Sequence, residues 1–145
     1  MSQPVNIVFY SEQKDGDQRV ASEFTVSGTS YQKGNYHYFK FEEKHEGIDP
    51  ISTIVKVNEK SCTIIRKGSV TMNHKYIPYQ PTSSIYESPH GIWDLETVTN
   101  EMTFEWDEDK KKGRLIISYE LFIQNQYVSE HEISLDIQAE EKVVH

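Results

Sequence analysis

Between Ser83 and Thr97 the sequence reads SSIYESPHGIWDLET, which gathers serines, His90, Asp94 and Glu96 into one short stretch. A hydroxyl, a base and a carboxylate are the parts of a nucleophilic site. Such a site needs the base within hydrogen-bond reach of the serine and a third group orienting the base. Ser83, Ser84 and Ser88 lie in no nucleophile elbow, because G-x-S-x-G occurs nowhere in the chain. Pro89 fixes φ and Gly91 accepts positive φ, so Ser88-Pro89-His90-Gly91 reads as a type II or related turn between strands. Asp94 and Glu96 share one strand face, opposite Trp93 and Leu95, and read as solvated. The stretch is a turn, and no catalytic residue is assigned to it.

Metal chemistry has as little support. His37, His45, His74, His90, His131 and His145 are scattered, with neither H-E-x-x-H nor C-x-x-C spacing. Glu130 and Glu132 flank His131 but point to the opposite face of a strand. Neither a metal nor a cofactor is expected. Cys62, beside Thr63 and Ile64, reads as a small buried hydrophobe with nothing nearby to activate its thiol.

Charges that fall in phase with apolar residues carry more information. In CTIIRK, Arg66 shares a face with Cys62 and Ile64; in HYFKFEE, Glu43 shares one with Phe39 and Phe41. If those faces point inward, both charges are buried and each needs a partner. Glu43 is the expected partner of Arg66, with Tyr38, Tyr86 and Tyr119 as further hydrogen-bonding groups. The pair is an ion pair plugging one barrel end, two charges at strand ends reaching water, or a guanidinium awaiting a ligand carboxylate or phosphate.

The elements that position these residues are strands. Val5-Ile7-Phe9, Ile51-Thr53-Val55-Val57, Leu115-Ile117-Tyr119-Leu121 and Ile133-Leu135-Ile137 alternate with polar neighbours. Short turns such as Lys14-Asp15-Gly16-Asp17 and DEDKKKG separate such runs. The proline-broken segment Tyr76–Pro81 reads as an edge, or as a loop at the mouth or a partner surface. The tail AEEKVVH is left open between strand end, short helix and disorder. The fold class is all-β: an antiparallel up-and-down barrel of about 8–10 strands occupying residues 1–145 as a single domain, since closure removes exposed edges.

Composition agrees. The 145 residues include 9 Tyr and 6 Phe, and a single Cys rules out an internal disulfide framework. The N-terminus shows no signal-peptide pattern and no apolar run is long enough to span a bilayer as a helix, so a cytoplasmic protein is expected. The net charge of -8 disfavours nucleic acid and anionic membrane surfaces as partners, leaving a small molecule or another protein.

YFKFEE (Tyr38–Glu43), IIRKG (Ile64–Gly68), YESPHGIWDLET (Tyr86–Thr97) and GRLIISYEL (Gly113–Leu121) follow one another in an order and spacing that resemble the YwiB-like family of small bacterial proteins. The resemblance spans nearly the whole chain. It implies a lipocalin-like (calycin-like) β-barrel and no defined function. The corner here is Ser-Pro-His-Gly, where the family more often has Thr-Pro-aromatic-Gly, and this takes weight from His90.

Three functions are compatible with such a barrel. First is a non-catalytic binder of a small, partly apolar, anionic molecule, with Arg66 as anchor and Glu43, Tyr38, Tyr86 and Tyr119 around it. Second is a packed barrel acting as a protein-interaction module. Third is a hydrolase using Glu43 as acid or base, which requires that carboxyl to face a cleft with a raised pKa.

Overall fold

The structure, a computed structural model, describes residues 2–140. His145 and most of the tail lie outside them. Ten strands follow in order: β1 (Gln3–Asp15), β2 (Gln18–Lys33), β3 (Tyr36–Glu43), β4 (Ile51–Val57), β5 (Cys62–Gly68), β6 (Met72–Tyr76), β7 (Pro81–Ser88), β8 (Gly91–Asp107), β9 (Lys112–Ile123) and β10 (Gln126–Ala139). All belong to one antiparallel sheet of order β6-β5-β4-β3-β2-β1-β10-β9-β8-β7. The expected up-and-down barrel is borne out, nearly closed. No helix of the described residues is long and apolar enough to cross a membrane.

Register follows the side-chain alternation. Ile7 faces Ile137 and Phe9 faces Leu135 across β1–β10, so one face of each strand delivers its apolar residues to the interior. The β9–β10 turn carries two left-handed residues, Gln124 (φ 51°) and Asn125 (φ 64°), the backbone of a type I′ hairpin. At the Pro89–His90 corner the positive φ falls on Gly91 (145°) and not on His90. A type II turn needs it on the third residue, so the corner is not type II.

Closure between β6 and β7 is sparse. Thr71 and Glu87 exchange two backbone hydrogen bonds of 2.9 Å, and no further backbone ladder joins these strands among the described residues. Below that bridge the seam is held by side chains. His74 Nδ1 lies 2.6 Å from Ser84 Oγ, and His74 Nε2 lies 2.7 Å from Thr97 Oγ1.

In a meander, alternate connections fall at alternate ends. The β2–β3, β4–β5, β6–β7 and β8–β9 links share one end, and the interior there is solid: Phe39, Val55, Val57, Cys62, Leu115 and Ile117 are buried, with Phe104 and Trp106 packed against them. The segment Tyr76–Pro81 lies at this packed end. It is therefore not a mouth loop, although Pro81 does open the edge strand β7. Its backbone is pinned by a 2.7 Å bond from Tyr79 N–H to Thr99 O.

Gly28 marks a close approach within the core. A Cβ there would stand 2.3 Å from the Lys40 carbonyl oxygen and 3.1 Å from Phe41 Cβ. Backbone cannot yield as a flexible side chain can. Gly28→Ala is expected to cost about 2 kcal/mol through overpacking. A melting curve would then show a fall of several degrees; an unchanged midpoint would contradict the register of β2 on β3.

A cavity at one end of the barrel

The opposite end carries the β1–β2, β3–β4, β5–β6, β7–β8 and β9–β10 connections, and here the interior is not filled. A cavity of about 740 Å³ opens between the walls. Phe9, Phe24, Ile64, Leu95, Leu121 and Ile133 supply apolar surface, and Trp93 and Tyr86 stand toward the mouth. Two hollows of about 900 Å³ lie elsewhere, one on the outer wall around Arg114 and Asp136, the other at the rim around Asp49 and His90. Both are more open to solvent than the barrel interior. The cavity is of the size that holds a drug-sized ligand.

Glu43 and Arg66 meet in this cavity as expected. Arg66 donates from Nε to Glu43 Oε2 at 3.0 Å and from Nη2 to Oε1 at 3.1 Å, a bidentate fork. Three neighbouring strands build it, Glu43 from β3, Thr53 from β4 and Arg66 from β5: Thr53 faces Arg66 across β4–β5, and the Thr53 hydroxyl donates to Glu43 Oε2. His45 Nε2 completes the set at 3.1 Å from Oε1. Burial alone would raise the Glu43 carboxyl. The Arg66 charge, with hydrogen bonds from Thr53, His45 and Arg66, outweighs burial and holds it below its ordinary range. A carboxyl held ionised is poorly suited to serve as a general acid.

Of the three tyrosines, Tyr86 and Tyr119 line the cavity. Burial pushes the Tyr119 hydroxyl up to about 12, and its ring lies 5.0 Å from that of Tyr76, whose hydroxyl burial also raises. Tyr38 does not join them. It alternates with Phe39 and so faces outward, stacked on Tyr31 at 4.7 Å. The other aromatics divide likewise: Tyr76 and Trp93 line the cavity, Phe39, Phe41, Phe104 and Trp106 pack the core, and Tyr79 is exposed.

His74 was not distinguished from the other histidines by spacing, yet it is 1% exposed and its ring has three hydroxyl neighbours, Ser84, Thr97 and Thr82. Its alternation with Met72 and Tyr76 places it inward. Ser84, within the SSIYESPHGIWDLET stretch, thus does bond a histidine, but one from another strand. The pair lacks a carboxylate to orient it. Burial also holds the imidazole down to about 4, leaving a weak base. His131 stacks on Tyr119 at 5.3 Å and is likewise lowered by burial. His90 sits on the rim, and Cys62 is fully buried, its thiol raised by burial alone. No group of three or more His, Cys, Asp or Glu able to hold a metal occurs among the described residues.

Polar groups therefore stand on two facing walls of an otherwise apolar chamber. To a molecule in the chamber this arrangement offers hydrogen-bonding groups and apolar surface. Known proteins match the fold. An "Uncharacterized beta-barrel protein YwiB" from Bacillus subtilis (strain 168) is 31% identical over 121 residues, covering 83% of this chain and 82% of its own. The crystal structure of the ywiB protein from Bacillus subtilis superposes with a TM-score of 0.85 at 26% identity, over 97% of this chain and 94% of that one. The family described as "Domain of unknown function (DUF1934)" matches residues 7–135, most of the chain, and the protein belongs to it.

Proposed function

We propose that the protein is a non-catalytic binder that takes a small, largely apolar molecule with an acidic or hydrogen-bonding head into the open end of the barrel. The observation that carries this reading is the cavity of about 740 Å³ with Arg66 in its wall. A guanidinium has five N–H donors, and Glu43 accepts from Nε and Nη2 only. The remaining donors are the anchor for the ligand's head, with Tyr86 and Tyr119 beside them. Because Glu43 and Arg66 cancel in charge, the head is held through hydrogen bonds from the remaining N–H groups and not through a net positive charge. The buried thiol of Cys62 suits the cytoplasm in which we place this activity. The wholly packed barrel is the weaker alternative because it requires no internal void.

1-Anilinonaphthalene-8-sulfonate, an apolar molecule with one anionic group, is a suitable probe. The expected result is saturable one-to-one binding with retained near-ultraviolet circular dichroism and energy transfer from Trp93, which lines the mouth. Leu121→Trp, which fills the cavity from β9, should weaken it at least roughly tenfold, a loss of about 1.4 kcal/mol. Binding unchanged by Leu121→Trp would place the probe elsewhere and overturn the reading.

A further inference from the structure

The net charge of -8 conceals a segregation of charge around the barrel. On the outer wall of β2–β6 stand Lys33, Lys40, Lys56, Lys67 and Lys75, with Arg19 and Glu23 toward the far end of β2 and Glu42 as the one carboxylate of β3–β6. The outer wall of β8–β10 carries Asp94, Glu96, Glu105, Glu120, Glu132 and Asp136, with Lys112 and Arg114 its only bases. None of the five lysines is in an ion pair among the described residues.

Aromatic rings hold part of this basic wall in place. Register sets Tyr31, Tyr38, Lys56, Thr63 and Lys75 in one row across β2–β6. Tyr31 and Tyr38 stack at 4.7 Å and 3°. The Lys56 ammonium sits 4.3 Å over the Tyr36 ring and 5.9 Å over Tyr38, and Lys40 sits 5.2 Å over Tyr31. Two ammonium groups are therefore fixed by cation–π contact and desolvated on one side, yet face no anion of their own.

We infer that the β2–β6 wall docks an extended acidic segment of another protein. Positive charge without internal counter-charge selects an anionic partner. The state of the rings decides which kind. A single-stranded nucleic acid gains its affinity by stacking bases on free aromatic faces. Here the faces are taken by each other and by the lysines, so what remains for a partner is ammonium groups and phenol hydroxyls, the donors a carboxylate uses. Size agrees as well. Five strands span about 20 Å between the outermost two, the length of roughly six extended residues. A longer or wider polyanion would run onto the acidic wall and be repelled.

The test is fluorescence anisotropy of a labelled oligoglutamate peptide against the intact protein, with labelled oligouridylate in parallel. Saturable oligoglutamate binding that weakens as salt rises is expected. The combined substitutions Lys40→Glu, Lys56→Glu and Lys75→Glu, on the outer wall and away from the core, should weaken it roughly tenfold or more. Lys110→Glu with Lys112→Glu, on the far hairpin, should leave it unchanged. Equal loss in both variants, no salt-sensitive binding, or tighter binding of oligouridylate than of oligoglutamate would each overturn the proposal. Binding of 1-anilinonaphthalene-8-sulfonate in the triple variant should persist, which separates this surface from the cavity.

Discussion

Arg66→Met is expected to destabilise the protein by about 3–5 kcal/mol, the cost of stranding a buried carboxylate. Glu43 is 6% exposed, and without the guanidinium only Thr53 and His45 remain to satisfy it. The double variant Glu43→Gln with Arg66→Met should recover much of that loss, because no uncompensated charge is then buried. Urea unfolding at neutral pH of the parent, Arg66→Met, Glu43→Gln and the double variant completes the cycle, and a coupling energy above about 1.5 kcal/mol is the expected result. Additive losses would show that the fork contributes no coupling. The pair also has a pH signature. Because the folded carboxyl is held below its ordinary 4.5, its contribution is complete above that value and is lost as pH falls through the lowered folded value. This result bears on function as well. Arg66→Ala removes a structural partner along with a ligand anchor, so loss of ligand in that variant is interpretable only beside the double variant.

The second large effect concerns acid and the seam. His74 has a folded value of about 4 against an ordinary 6.5, because burial disfavours the charged ring. Between those values the unfolded chain binds the proton and the folded one does not. Stability therefore falls as pH drops from about 6.5 toward 4, by about 3 kcal/mol for a shift of this size. His37 and His131, also lowered by burial, act in the same direction. His74→Gln keeps polar atoms near Ser84 and Thr97 but cannot titrate, so it should flatten the stability profile over this range. Chemical denaturation at several pH values reads the difference. A profile as steep in His74→Gln as in the parent would mean that another group governs acid sensitivity.

Alternation made the fold and the Glu43–Arg66 contact legible, because a period of two assigns each residue to one wall without knowledge of partners. The same rule excludes Tyr38, which is out of phase with Phe39 and Phe41; naming it as a hydrogen-bonder set chemical type above phase. The composition of the Tyr76–Pro81 link suits an edge, a mouth loop or a partner surface alike. Counting strands takes it away from the mouth, since the connection after β6 falls at the end opposite the one after β5. The setting of His74 was harder to see. Its partners Ser84, Thr82 and Thr97 come from β7 and β8 across a seam that only closure of the barrel creates. Whether the barrel is hollow was equally hidden: Phe39 and Tyr119 are both inward aromatics, yet one fills the packed end and the other lines the cavity.

Native mass spectrometry of the protein purified gently from bacterial cells, beside its denatured mass, tests the cavity most directly. A retained adduct of roughly 200–500 Da, the range a chamber of this size accommodates, is expected in the parent and absent from Leu121→Trp. A bare protein mass, or an adduct that Leu121→Trp still carries, would contradict a ligand-holding barrel.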